Sequence, residues 1–474
     1  MWIGLHLLAV MATIIRIWYR PDLLPPTRLA WFMVLVTVPV FGVVAYFLFG
    51  EINLGRATNK RYRAIIEQIR LLPAYRLGDV IRLSGLIAPA YKPAFRYATS
   101  INGFGTTKGN RAELMEDAQT ARARMLEDIE NARTHINILY YIWLEDETGT
   151  RMARALMRAA GRGVKCRVMV DGLGSHKFIH SRLWKDMQAA GVQCSVALPF
   201  HKLIRTLLFS RIDLRNHRKI TVIDGRITYC GSQNCADPEF RPKAKYGPWV
   251  DILMRFEGPV VAQNQLLFAT DWMLENDDTL ADFDFGAPVM KNGFPAQVWG
   301  DGPTERSGAT PEMFSTLITL AQKQLTITTP YFIPDEKVLG ALCAAAHRGV
   351  ELTLVFPARN DSWVVRAASR STYQRLLLAG ARIYEYEGGL LHAKTLTVDG
   401  LVTQIGSSNM DRRSFDLNYE NNIVLYDQQI TRDVMRRQAD YIEKSRPVTL
   451  EQVKQWKAPR RIWQNIIATL GPVL

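Results

Sequence analysis

Hydrophobic and polar positions divide this chain into an apolar start and a long, regularly broken remainder. Leu29 to Phe49 is a run of 21 residues without a charge. At about 1.5 Å per residue such a helix reaches roughly 31 Å, enough for a hydrocarbon core. Trp2 to Ile15 is shorter and interrupted by His6, with Trp18 and Tyr19 following as interface residues. It reads as a second span, a tilted interfacial helix or a signal peptide. A helical hairpin is the preferred reading, because no basic stretch precedes the segment and no small-residue cleavage site follows it.

Beyond residue 51 the pattern repeats. His135-Ile-Asn-Ile-Leu-Tyr-Tyr-Ile-Trp143 has strand character; a helical stretch then ends in Arg162-Gly163-Val164, and Cys166 to Asp171 reads as a strand again. Gln324 to Tyr331, a helical stretch ending in Arg348-Gly349-Val350, and Leu352 to Phe356 give the same order a second time. Two homologous α/β domains are expected, with a functional site at their interface. The expected organisation is a membrane anchor of two apolar helices over 1–50, then a basic connector along the membrane surface over 51–99. A first domain over 100–290 and a second over 291–474 follow, divided by the glycine- and proline-containing stretch Phe285 to Gly302.

The composition, 48% hydrophobic and 22% charged, excludes global disorder. A net charge of +14 points to a polyanionic partner, nucleic acid or an anionic membrane, and the apolar segments favour the membrane. Five scattered cysteines without a C-x-x-C pair argue against a disulfide frame or zinc site and for a reducing compartment. Cys230 and Cys235 are expected to pack beneath the site rather than react. Arg16, Arg20 and Arg28 on one side of the Leu29 to Phe49 run, and Arg56, Lys60, Arg61 and Arg63 on the other, pull the positive-inside rule both ways. The cysteines favour a catalytic part facing the cytoplasm.

The chemistry lies in two strings 175 positions apart. His217-Arg-Lys219-Ile-Thr-Val-Ile-Asp224 is followed after six residues by Gly231-Ser232-Gln-Asn234; His392-Ala-Lys394-Thr-Leu-Thr-Val-Asp399 is followed after six by Gly406-Ser407-Ser-Asn409. A lone histidine on a strand is usually structural, but matched spacing at six positions points to a duplicated half-site. Residues i and i+2 of a strand share a face, so each histidine should project with its lysine. Two lysines and two asparagines converging on one point suit a phosphate diester. Neutral imidazole can attack phosphorus and imidazolium can protonate a departing alkoxide, so a pair divides the labour. Ser232 and Ser407 are expected to donate to phosphate, and Asp224 and Asp399 to brace the site.

This doubled H-x-K-x4-D-x6-G-S-x-N pattern resembles the phospholipase D superfamily, and within it the bacterial cardiolipin synthases. The narrower resemblance also rests on the apolar segments before residue 50, Pro248-Trp249-Val250-Asp251, and the stretch Gly406 to Phe415. It implies two phospholipase D-like α/β sandwich domains with the active site between them. It implies His217, Lys219, Asp224, His392, Lys394 and Asp399 as catalytic residues, with His217 as nucleophile and His392 as acid and base. It also implies Asp251 and Glu420 as carboxylates orienting the histidines. The expected reaction is transfer of a phosphatidyl group between two phosphatidylglycerols, without metal or cofactor, in the bacterial cytoplasmic membrane. Nucleic acid is not expected as a partner, and self-association stays open. The rival readings are a phospholipase D-type hydrolase and a membrane-tethered nuclease. Phe200 to Arg215 and Trp456 to Ile467 mix basic and bulky apolar residues, as lipid-contacting stretches or as helices packed on their own domain.

Overall fold

The computed structural model describes residues 2–21, 23, 25–51, 54–78, 85–199 and 213–469. The expected lipid-contacting stretch Phe200 to Arg215 lies, up to residue 212, outside the described residues.

The first half contributes strands β1 (Thr107–Leu114), β2 (His135–Tyr140), β3 (Lys165–Asp171), β4 (Gln193–Ala197), β5 (Arg215–Asn216), β6 (Ile220–Ile223), β7 (Ile227–Gly231), β8 (Trp249–Val250) and β9 (Leu253–Glu257). The second contributes β10 (Phe294–Asp301), β11 (Gln324–Thr328), β12 (Glu351–Pro357), β13 (Arg382–Tyr386), β14 (Leu390–Leu391), β15 (Thr395–Val398), β16 (Val402–Gly406), β17 (Asn418–Tyr426) and β18 (Ser445–Val448). One continuous sheet runs in the order 18-13-12-11-15-16-17-10-1-9-7-6-2-3-4. Apart from the added edge strand β18, the order mirrors itself about the antiparallel β1–β10 pair, so the duplication read in the sequence is a duplication in space.

The repeated Arg-Gly-Val marks a helix stop. Helices Glu147–Gly161 and Glu336–His347 start on Asp146 and Asp335, which accept the Gly149 and Val338 backbone N–H groups. Each then ends on a glycine at φ +88°, with the following valine N–H reaching back to Ala159 or Ala345. Both chemistry-bearing hairpins turn through consecutive positive φ angles, at Asp224-Gly225 and Asp399-Gly400, the geometry that matches strand twist.

Helix Val260–Glu275 is buried along nearly its whole length. Its Leu266, Leu267 and Phe268 share a core with Leu139 and Met169 of the first half and Ile405 and Ile423 of the second. The halves are therefore welded through one apolar core, which fixes their relative position at the scale a reaction centre needs.

Two N-terminal expectations change. The Leu29 to Phe49 run is not one helix: it divides into Pro25–Thr37 and Pro39–Phe49 at Val38, because proline has no N–H to continue the first helix. Among the described residues, no helix is long and apolar enough to cross a membrane. With Trp2–Tyr19 these helices form a small cluster around Ile17, Trp31, Leu35 and Tyr46, tied by Arg16 Nη2 to Glu51 at 2.7 Å. The connector is also more embedded than a surface segment. Helix Arg56–Leu71 buries Tyr62, Ile65 and Ile69, with Arg61 donating to the Met273 carbonyl, and helix Lys92–Asn102 buries Ala94, Phe95 and Ala98 in the core of the second half.

Candidate active site

Each histidine follows a two-residue strand that pairs with the opposite half. β5 runs parallel to the start of β17, and the His217 N–H donates to the Tyr419 carbonyl at 2.9 Å. β14 runs parallel to β8, and the His392 N–H donates to the Val250 carbonyl at 2.8 Å. This exchange places each histidine beside the other half's carboxylate. His217 Nδ1 lies 2.9 and 3.0 Å from the Glu420 oxygens, and His392 Nδ1 lies 2.6 Å from Asp251 Oδ1. The expected carboxylates therefore lie against the histidines in a crossed arrangement, where sequence distance alone sets Asp251 beside His217 and Glu420 beside His392.

His217 to Lys219 and His392 to Lys394 lie between strands, where a position on a strand was expected. Lys219 and Lys394 turn back so that each Nζ donates to the carbonyl of its own histidine, at 2.7 and 2.8 Å. Arg218, between His217 and Lys219, points the other way, into a buried pair with Asp271 at 2.6 Å, and also holds the Glu420 carbonyl. Asn234 and Asn409 are buried, and the Asn234 Nδ2 and Asn409 Oδ1 atoms have no partner among the described residues. Buried amide atoms without partners are costly, and a ligand oxygen supplies what the Asn234 amide lacks.

Two expected roles are corrected. Ser232 donates to Asp251 and Ser407 to Glu420, while each hydroxyl accepts a backbone N–H from Ile252 or Asn421. Fully engaged, they fix the carboxylates rather than hold phosphate. Asp224 and Asp399, placed among the catalytic residues by the resemblance, sit at the far hairpins. Asp224 accepts the N–H groups of Arg133, Thr134 and His135; Asp399 accepts those of Gln322, Lys323 and Gln324 and the Tyr91 hydroxyl. They brace strand ends, as the motif's geometry suggests, and touch no reacting group. For Trp456 to Ile467 both readings keep support: helix Ala458–Thr469 packs on helix Trp363–Ser371 with Ile467 buried, while its other face stays exposed.

Burial governs the protonation states. It pushes both histidines down to about 4, with Glu420 or Asp251 opposing the fall and the lysines reinforcing it. Burial likewise lowers Lys219 to about 8 and Lys394 to about 7, the latter further depressed by Lys219. Although burial acts to raise them, Asp251 and Glu420 are held below the usual carboxylate range by His392 and His217 respectively. Each histidine also feels the opposite lysine, so the two half-sites converge.

Neutral imidazole with its Nδ1–H on a carboxylate leaves the Nε2 lone pair free, which is the nucleophilic tautomer. Two lysinium and two carboxylate charges cancel. A phosphodiester adds one negative charge and so favours uptake of one proton, converting one of two imidazoles to the acid. The site is set for a nucleophile, and its ligand brings the conditions for the acid.

Sequence reasoning does not find Ser414, which donates to Glu420 at 2.8 Å, or the rings of Tyr141 and Trp249, centred 5.0 and 4.4 Å from the His217 and His392 rings. Ser414 and Trp249 lie inside stretches that carry the resemblance, but no spacing rule assigns them. Cys230 packs beneath the centre, its Sγ 3.6 Å from Asn421 Nδ2, and burial raises its thiol to about 12. Among the described residues, no group of three or more His, Cys, Asp or Glu stands in a metal-holding arrangement.

The family described as "Cardiolipin synthase, PLD-like domain" matches residues 125–246 and 314–440, and "Phospholipase_D-nuclease N-terminal" matches residues 7–51. The chain is 36% identical to cardiolipin synthase A of Serratia proteamaculans over 94% of its own length and 91% of that protein's. It is 34% identical to cardiolipin synthase A of Proteus mirabilis over 94% and 93%. Among solved structures, phosphatidylserine synthase of Haemophilus influenzae superposes with a TM-score of 0.62 at 14% identity, covering 82% of this chain and all of that one, a likeness of fold.

Proposed function

We infer the reaction from kinship and geometry together: the chain belongs to the cardiolipin synthase family of the phospholipase D superfamily and is a phosphatidyltransferase. It transfers a phosphatidyl group from one phosphatidylglycerol to another and releases glycerol. The observation that carries the mechanism is the crossed pair, each histidine held at Nδ1 by the other half's carboxylate, with both lysines turned to the same centre.

In the proposed sequence His217 Nε2 attacks the phosphorus of the first phosphatidylglycerol. The bond to the glycerol oxygen breaks, and His392, protonated when the anionic diester binds, gives its proton to the leaving alkoxide. Glycerol departs and a phosphohistidine remains. Neutral His392 then takes the proton of a hydroxyl on the second phosphatidylglycerol, whose oxygen attacks phosphorus as the P–N bond breaks. Cardiolipin leaves, His392 releases to solvent the proton that was taken up on binding, and both imidazoles are neutral again. Lys219, Lys394 and the unpartnered Asn234 amide offset charge on the nonbridging oxygens, and that stabilisation grows in the transition state.

We place this chemistry at the bacterial cytoplasmic membrane, with the catalytic halves on the cytoplasmic side. Supporting this are the apolar faces of the first helices, where Leu8 and Phe41 are 69% and 75% exposed. The test is mass spectrometry of the products formed from phosphatidylglycerol vesicles alone. Cardiolipin with free glycerol, absent when His217 and His392 are both alanine, is expected. Phosphatidic acid as the sole product would make the protein a hydrolase, and an unchanged lipid would remove phosphatidylglycerol as substrate.

A further inference from the structure

On the outer edge of the second half, four arginines surround a cavity of about 280 Å³ that shares no lining residue with the histidine centre. Arg370 and Arg446 converge on Glu385, at 2.7 and 2.6 Å. Arg366 and Arg460 also line the cavity, are exposed, and have no carboxylate within ion-pair distance among the described residues. The Arg460 guanidinium lies 3.9 Å over the Trp456 ring. Glu387, at 3.7 Å from Arg446, supplies one more carboxylate. Four positive groups against two negative ones leave an excess of two charges. The arginines repel one another, an arrangement that an anion in the cavity would stabilise.

Beside the cavity is an apolar ridge. Helix Ala458–Thr469, which carries Arg460, packs on helix Trp363–Ser371, which carries Arg366 and Arg370. Trp363 and Trp463 stack with ring centres 5.9 Å apart, and with Ile462 and Ile466 they stand at least half exposed. Stacked, exposed tryptophans next to arginines describe a surface with an anion-binding region and an apolar region above it, the profile of a phospholipid interface.

We propose that the Arg366–Arg370–Arg446–Arg460 cavity binds the phosphate of an anionic phospholipid while the Trp363–Ile462–Trp463–Ile466 ridge seats in the surrounding lipid. This is a second lipid-binding site, separate from the reaction centre. Charge complementarity selects an anionic headgroup, and the adjoining ridge selects a lipid over a free phosphate. The site makes the C-terminal helix a membrane-contacting element independent of the N-terminal helices.

The test is hydrogen exchange of the full chain in neutral detergent micelles, with phosphatidic acid added, since it offers the reaction centre no alcohol to release. Exchange over 363–371 and 456–469 is expected to slow about tenfold when the lipid stands at ten times its dissociation constant. Phosphatidylcholine should leave both segments unprotected, and an Arg366→Gln, Arg460→Gln variant with unchanged Tm should lose the protection. Ile462→Ser with Trp463→Ser should weaken it while keeping the arginines. Equal protection by inorganic phosphate alone would overturn the lipid assignment in favour of a free-anion site. Absence of protection by phosphatidic acid, or its survival in the arginine variant, would overturn the site. Cardiolipin output is read separately, so neither test decides the other.

Discussion

The two half-sites carry the same motif but not the same surroundings. Glu420 receives His217 and, in addition, Ser407, Ser414 and Asn418; Asp251 receives His392 and Ser232. His217 meets the edge of Tyr141 with its side chain 10% exposed, whereas His392 lies under Trp249 with 3% exposed. The ring of a phosphohistidine, substituted at Nε2 and protonated at Nδ1, is positive for as long as the intermediate lasts, and it needs a firmly ionised partner. The more heavily donated Glu420 fits that task. An acid and base must cycle between neutral and charged within one turnover, and a carboxylate with fewer supports beneath a water-excluding ring fits that one. Duplication supplied two equal halves, and in the proposed mechanism their neighbours divide the roles.

The sharpest way to break this division is to remove each imidazole. His217→Ala and His392→Ala are both expected to lower kcat by about 10⁴-fold or more, since groups acting as a unit fail together. The asymmetry shows in the intermediate: labelled phosphatidylglycerol should leave its label on a peptide containing His217. Label on a His392 peptide would exchange the two roles.

Next in size is the crossing. Glu420→Gln and Asp251→Asn should each lower kcat by about 10²- to 10⁴-fold, because a neutral amide no longer fixes the tautomer or offsets the imidazolium. If the pairing is crossed, imidazole NMR in Glu420→Gln shows the changed Nδ1 proton at His217 and leaves His392 as it was. A change at His392 instead would mean that each half serves itself.

pH sharpens the comparison further. kcat/KM, which reports the free enzyme, should rise with pH through about 4 as His217 loses its proton. Above about 4 it should fall about tenfold per unit, because the reacting complex holds on His392 a proton that the free enzyme lacks, and more steeply above about 7 to 8 as Lys394 and then Lys219 lose theirs. Glu420 acts to raise the His217 value, so Glu420→Gln should move the acid limb lower, and Asp251→Asn should leave it in place. Because a bound diester favours protonated groups, the limbs of kcat should lie above those of kcat/KM.

Much of this architecture is legible in the residues alone. The histidines and lysines are legible because the doubled spacing singles them out, although they lie between strands and not on them, and Arg-Gly-Val because a helix stop has its own chemistry. The halves and the site between them follow from the repeat, and the two carboxylates from the family resemblance. The crossing is not legible: β5 with β17 and β8 with β14 are two-residue pairings between distant segments, and spacing within one copy says nothing of them. Ser232 and Ser407 mislead for a related reason, since a buried hydroxyl takes the nearest carboxylate, which sequence does not locate. At Val38 the uncharged run looks continuous because hydropathy registers side chains, whereas the break comes from the missing backbone donor at position 39.

The smallest expected effect on chemistry belongs to the third letter of the motif. Asp224 collects three backbone N–H groups and the Thr134 hydroxyl; Asp399 collects three N–H groups and the Tyr91 hydroxyl. At φ +52° and +53° both positions tolerate asparagine better than most residues, so Asn tests charge and hydrogen bonding with little backbone strain. Asp224→Asn and Asp399→Asn should each destabilise by about 1–3 kcal/mol, because one amide oxygen cannot serve every donor the carboxylate served. Denaturant unfolding reads that loss, while turnover per folded molecule stays within a factor of about three of the parent. Asp399 is joined by a side chain from helix-flanking Tyr91, so Tyr91→Phe should reproduce part of its loss, and Thr134→Val part of Asp224's. A roughly hundredfold fall in turnover at unchanged stability would return the aspartates to the reaction centre. Their retention at identical spacing in both halves would then reflect proton chemistry rather than the anchoring of the strand that follows each histidine and lysine.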